Sequence, residues 1–416
     1  MNLIGRMRKI CGLLILLLSS CARQFDDNTD FLTRSIVAYD VFRLIDIPRF
    51  AYAPLSGGNI GGFSVNRVTG QITLSGTYST GISPSALVTD TQGKFAYATG
   101  GTTLYAASID QTTGALVSAG TQATGAAPSA PRMDPYNRFV YLISGAGSVT
   151  GYAINQTSGA TTLIGSWPSA VGYGKPLVHT SGRYLYANTG SGIYMYSIDQ
   201  TSGALTSLGS ISDGGIAGQM ELDSTGKYLY HTYPGSVTVF SVNSDGTLSN
   251  IQTVAGLAAP SSLNLEHPFK RFAYLTSLTG GTTVMMYQVS NGALSLLGSV
   301  AGGTNTGAIR IEPSGRFAYL CNQGSGDVTQ YSIDQFTGLL SSFGSVVSGS
   351  GPIIASPDPT GRFLYSPNAT GASINQYSID PFSGQLRLIQ NTPTSGNPSY
   401  VGLVSYPASA IYQYYY

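Results

Sequence analysis

A four-residue phrase, basic then aromatic then apolar then tyrosine, begins at Arg49, Lys94, Arg138, Arg183, Lys227, Arg271, Arg316 and Arg362, with 44 to 46 residues between consecutive copies. A second mark keeps step with it: a small polar turn closed by glycine falls at Gly70, Gly114, Gly159, Gly203, Gly246, Gly292, Gly338 and Gly384. The passage "SIDQTSGALTSLGS" from Ser197 is one such turn with its flanks, and close copies begin at Ser108, Ser332 and Ser378. A period of this length means that one supersecondary unit is built eight times, so the 416 residues are not two unrelated domains.

Within the unit "PTGRFLYSPNATGASINQYSIDPFSGQLRLI", alternation of period two sets Phe363 and Tyr365 on one face of a strand, and Tyr377 and Ile379 on one face of the next. The residues between them are also largely apolar, so both faces call for cover. Asp380 to Gly384 reads as a hairpin loop in which the aspartate bonds its own following backbone and the glycine takes a positive φ. Asp358 to Gly361 is another turn, preceded by an apolar strand at 352–356. Each unit therefore reads as four strands.

A sheet of ~45 residues that is apolar on both faces cannot bury itself, and a ring of such sheets gives each one two neighbours. The predicted fold is an all-β propeller of four-stranded antiparallel blades, eight in number, with seven as the alternative count. The first unit, at Arg49, lacks an opening strand, while "NPSYVGLVSYP" from Asn397 has the character of one. Pairing the N-terminal and C-terminal strands closes the ring and hides two sheet edges. The terminal "AIYQYYY" reads as a further strand packed on the ring or as an aromatic edge for a partner, and Ile36 to Ile47 as an extra strand or part of a tether.

Ahead of the repeats, Arg6, Arg8 and Lys9 precede an apolar run from Ile10 to Leu18, too short to span a bilayer as a helix. The run ends in Leu18-Ser19-Ser20-Cys21, which resembles the lipobox of bacterial lipoproteins. The expected organisation is a signal peptide at 1–20, a lipidated Cys21 and tether at 21–46, and one propeller at 47–416. No acidic residue follows Cys21 directly, which favours the outer membrane of a bacterial envelope. Cys11 leaves with the leader and Cys21 carries lipid, so Cys321 stands alone and reads as a small buried hydrophobe. Losing Arg6, Arg8 and Lys9 from the 20 basic residues leaves 17 against 19 acidic ones, a balance that argues against nucleic acid as a partner.

The pattern of proline, a Ser/Thr-Gly-Arg-Phe-Leu-Tyr strand, "SINQYSID" and "SGQL" between Pro352 and Leu386 resembles the lactonase-like propellers that include bacterial 6-phosphogluconolactonases, and more loosely the YVTN-type surface propellers. It is matched from about residue 47 to 407. The resemblance implies a lactone hydrolase with an Arg-His pair opening an inner strand and a Glu after the next Tyr-x-Tyr strand. In "PSSLNLEHPFKRFAYLTSLTG" those places hold Ser261, Ser262 and Ser277 or Leu278, so the implied catalytic groups are absent there.

Other candidates for chemistry are sparse. His179 and His267 are expected in turns between first and second strands, and His231 after a second strand, all as exposed residues rather than metal ligands. The openings of the inner strands read Ser85, Ser129, Pro176, Gln219, Ser261, Ala308, Ile353 and Ser399, a mostly neutral ring. Only Arg132, Lys175, Gln219 and Arg310 are placed to contact an anion at the channel mouth. The repeated Arg/Lys before each aromatic, and the Asp or Asn at 66, 110, 155, 199, 243, 334 and 380, read as structural rather than as a basic patch or calcium sites. No cofactor is expected. The leading expectation is a lipid-anchored binding or scaffolding module whose partner is a protein or a small-molecule or carbohydrate ligand; the alternative is a lactonase acting on a sugar lactone in the channel mouth.

Overall fold

A computed structural model describes residues 48–405, apart from 126, 146, 170–173, 213–217, 258–259, 266–270 and 278–281. The leader, Cys21, residues 36–47, His267, Leu278 and the tyrosine-rich end lie outside the described residues. The described chain forms eight four-stranded antiparallel sheets. Seven are continuous in sequence, at 86–123, 132–168, 176–211, 219–255, 260–301, 306–347 and 356–393. The first blade combines Pro48–Leu55, Asn59–Val65 and Ile72–Ser79 with Gly402–Ser405 from the other end of the chain. Pro48 pairs with Ser405 and Tyr52 with Gly402, so the ring closes as the sequence predicts.

The middle strands are buried on both faces, as in Phe95–Gly100 and Phe363–Asn368, because each blade is sandwiched between two others. The outer strands alternate, with exposed positions along Leu116–Ala123 and Leu340–Val347. Every blade carries one register shift between its third and fourth strands. Such a bulge twists the outermost strand and makes its free edge a poor template for edge-to-edge pairing.

The two sequence marks meet across the blade interfaces. Tyr52 donates its hydroxyl to Gly114 O at 2.7 Å, Tyr97 to Gly159 O at 3.0 Å, Tyr141 to Gly203 O at 2.7 Å and Tyr186 to Gly246 O at 3.0 Å. Tyr230, Tyr274 and Tyr319 do the same to Gly292, Gly338 and Gly384, and Tyr365 completes the circle on Gly70 at 2.9 Å. The aromatic residue two places earlier packs against the same glycine. A Cβ at Gly203 would sit 2.6 Å from Phe139, and one at Gly70 2.2 Å from Phe363. Both glycines have φ of +74° and +73°, so glycine is required for space and for backbone geometry alike.

The repeated basic residue belongs to this lock. Arg138 lies 4.9 Å over Phe139 and donates to Gln200 O of the next blade at 2.7 Å; Arg271 and Arg362 reach Gln335 O and Arg67 O in the same way. The hairpin acids bond their own turns: Asp380 accepts from Phe382 N and Ser383 N at 2.9 and 2.7 Å, which holds its carboxyl below the usual range.

Two details depart from the sequence reading. The opening strand expected at 352–356 pairs regularly only at Ser356–Pro357, with a lone bridge from Pro352 to Asn368. Its Ile353 carbonyl accepts from Ala308 N of the preceding blade at 3.3 Å, drawing that segment off its own ladder. His231 lies inside Tyr228–Tyr233 and is fully buried against Tyr233, not exposed beyond the strand. The alternation of that strand turns it into the interface, where its Nε2 sits 3.4 Å from Asn188 Nδ2.

Candidate functional site

Where the inner strands begin, a cavity of about 390 Å³ opens across the second, third and fourth blades. Its wall is built from the approach to Ala86–Thr89 (Ser83, Ser85), the turn at Gly100 and Gly101, and the segment 127–130 leading to Arg132–Met133; Ile143 and Lys175 complete it. Gly100 is needed there, since a Cβ would fall 2.0 Å from Ser83 O. Ala127 holds a φ of +46°, a left-handed conformation that costs a non-glycine residue about 1–2 kcal/mol.

Lys175 is the one charged group in the wall. Its backbone N–H donates to Asn188 Oδ1 at 2.9 Å, which fixes the chain just before Pro176–Val178. Among the described residues nothing hydrogen-bonds its Nζ. Burial, and then the charge of Arg132, lower its pKa to about 8. Arg132 is itself buried and donates Nε to Pro176 O at 3.2 Å, tying the third blade's inner strand to the residue after Lys175. Two cations are thus adjacent, and no carboxylate contributes to the Lys175 shift.

The serine hydroxyls of the wall are engaged. Ser129 Oγ donates to Ala130 O at 3.3 Å and accepts from Ile143 N at 2.9 Å, and Ser85 Oγ donates to Thr99 O at 3.2 Å. Neither has an imidazole or carboxylate beside it in the cavity wall, so neither is an activated nucleophile.

Of the four residues singled out at the channel mouth, the structure brings Arg132 and Lys175 together. Only Lys175 lines the cavity; buried Arg132 acts on it by charge, and Gln219 and Arg310 do not line it. Gln219 opens the inner strand of the fifth blade and its carbonyl accepts from Thr232 Oγ1 at 3.2 Å. Arg310 is buried in Thr306–Ile311 opposite Tyr319. Ser83, Gly100, Ala127 and Ile143 were not singled out by sequence; the only signal for them is the Gly100-Gly101 pair.

The remaining candidates resolve as structural. His179 Nε2 donates to Gly226 O of the next blade at 2.8 Å, while Nδ1 accepts from Ser181 Oγ at 2.8 Å. Cys321 is fully buried, and burial pushes its thiol up to about 12. Among the described residues no group of three His, Cys, Asp or Glu side chains converges as a metal site.

The fold and its mouth define the class: a closed β-propeller with a cationic cavity where the inner strands open. The chain belongs to the family described as lactonase, seven-bladed β-propeller, whose model matches residues 146–266, 178–300 and 265–403. Here the ring has eight blades. Similar solved structures include a protein of Bacteroides fragilis assigned as a 6-phosphogluconolactonase, at 20% identity and TM-score 0.63, covering 86% of this chain and 99% of that one. A periplasmic gluconolactonase of Pseudomonas aeruginosa aligns at 17% identity and TM-score 0.60, covering 86% and 99%. Yeast Sqt1 aligns at 13% identity and TM-score 0.64, covering 76% and 87%. At these identities the likeness is one of fold. No curated protein matches the chain in sequence.

Proposed function

We propose that the propeller opens sugar lactones in the cavity around Lys175. The observation that carries this reading is Lys175: a half-buried amine with no hydrogen-bonding partner among the described residues and a pKa lowered to about 8. At pH 7 roughly one molecule in ten then holds it neutral, and the neutral amine is a base of useful strength. Water adds to the lactone carbonyl carbon and passes its proton to Lys175 Nζ. The nearby charge of Arg132 favours the oxyanion that forms. When the ring C–O bond breaks, Lys175 returns the proton to the leaving ring oxygen, and the product is a hydroxy acid whose carboxylate suits the same cationic pair. A cavity of about 390 Å³ is in the range that encloses a small polar ligand.

A second reading, an anion-binding module without turnover, is favoured by one observation: no carboxylate or imidazole lines the cavity. Gluconolactone ring opening, followed by acid release after subtracting the spontaneous rate, separates the two. The lactonase reading predicts an enzyme rate that rises through about pH 8 and is lost at least ten-fold in Lys175→Met. No excess over the spontaneous rate at any pH rejects it in favour of the binding module.

We propose further that Cys21 carries lipid and holds the propeller at the bacterial envelope, in the outer membrane. The order of basic residues, apolar run and Leu-Ser-Ser-Cys supports it. Fatty-acid labelling should mark the wild type and spare Cys21→Ala; equal labelling rejects the anchor.

A further inference from the structure

Six of the eight hairpins that join third to fourth strands, those of the first to fourth, seventh and eighth blades, share one conformation but not one surface. In each, the side chain two places after the Asp or Asn projects outward while its N–H is held by that acid or amide: Val68 by Asn66, Phe336 by Asp334 and Phe382 by Asp380, each at 2.9 Å. The turn itself therefore does not select the side chain. In the second, third and fourth blades the position is Thr112, Thr157 and Thr201, as expected for a solvated tip. In the seventh, eighth and first blades it is Phe336, Phe382 and Val68, which are 84%, 88% and 81% exposed. These three blades are neighbours: Tyr319 of the seventh bonds Gly384 of the eighth, and Tyr365 of the eighth bonds Gly70 of the first. The apolar tips thus form one arc on one face of the ring. Large apolar side chains this exposed on three successive blades are a candidate contact surface.

The occupant follows from where the rest of the chain joins. The N-terminal segment enters at Pro48, and the register of Phe50 with Ser64 puts the start of Pro48–Leu55 beside the end of Asn59–Val65. That is the end of the first blade from which the Asn66 hairpin projects. The 26 residues from 22 to 47 lie between Cys21 and this point, a span of at most about 90 Å. A lipid on Cys21 would therefore tether the ring from the end of the first blade that carries the Asn66 tip.

We propose that Phe336, Phe382 and Val68 rest in the interface of the membrane to which the N-terminus is anchored, which rests on the lipid-anchor reading of Cys21. Exposed Arg67 and Arg387 flank two of the tips and meet headgroup phosphates, while Asp334 and Asp380 are turned into their own hairpins by N–H bonds. Three side chains give weak contact on their own. Held by a tether they act at high effective concentration, which turns a weak contact into a preferred orientation. The cavity lies at the opposite ends of the strands, by the Gly100-Gly101 turn, so this orientation points Lys175 away from the lipid.

The test uses the full lipidated chain in phosphatidylcholine vesicles, with an environment-sensitive fluorophore attached at Phe336→Cys, Phe382→Cys or Thr201→Cys, one at a time. Buried Cys321 does not compete for the label. Brominated lipid should quench the probe at 336 and 382 at least two-fold more than at 201, the equivalent tip across the ring. Equal quenching at all three positions in a chain that fatty acid does label overturns the docking face and leaves the anchor standing. A chain that fatty acid does not label removes the anchor and the proposal with it.

Discussion

Lys175 is a poor residue for stability, and under the proposed function it is kept for chemistry. Its folded pKa of about 8 lies below the ordinary 10.5, so the unfolded chain binds the extra proton between these values. The cost of burying the charge is fully present below about pH 8 and is relieved as pH rises towards 10.5. Replacing it by methionine, which keeps the length and drops the charge, is expected to stabilise the fold by about 1–2 kcal/mol at pH 7 after allowing for solvent screening. The gain should fade above pH 8 and vanish near 10.5, as read from thermal midpoints across pH. A variant that is more stable and inactive identifies a residue kept for its site; one that is less stable shows that Lys175 is part of the packing.

At the scale of strands and turns, the tyrosine-to-glycine lock explains why two short sequence marks recur in equal number. Gly203→Ala places a methyl against Phe139 and puts alanine at a φ of +74°, so a loss of about 2–4 kcal/mol is expected. Tyr141→Phe only leaves the Gly203 carbonyl without its partner and should lose about 1–2 kcal/mol. Equal losses in denaturant titrations would mean that the glycine matters only for the bond. The strands, the hairpins and the blade count were legible in the sequence because each is set by residues within one repeat. That Tyr141 meets Gly203, 62 residues on, was not, because that contact exists only between blades. The cavity was half legible for a related reason. Arg132, Lys175, Gln219 and Arg310 share a similar place in the repeat, and only the exact start of each inner strand decides which side chains turn to the mouth. His231 was misplaced by the same ambiguity.

At the scale of the molecule, the lone strand Gly402–Ser405 does what no other strand does: it joins the two ends of the chain in one sheet. It brings Tyr400, Val401 and Val404 into the core, and the Tyr400 hydroxyl engages the backbone of Leu87 in the second blade. Ser56 N donates to Asn397 O at 3.1 Å at its far end. Ending the chain after Gly396 removes about 5–8 kcal/mol of burial and leaves Pro48–Leu55 with an open edge. A closed ring shares that loss, since every blade is held by both neighbours, whereas an open stack would lose order only at its end. The single tryptophan, Trp167, reports from the third blade, away from the seam. In the truncated chain its fluorescence transition should fall to lower temperature together with the circular dichroism of the whole domain. A Trp167 transition that keeps its midpoint while the total signal drops would show blades unfolding independently, and a ring sharing its stability could not behave that way.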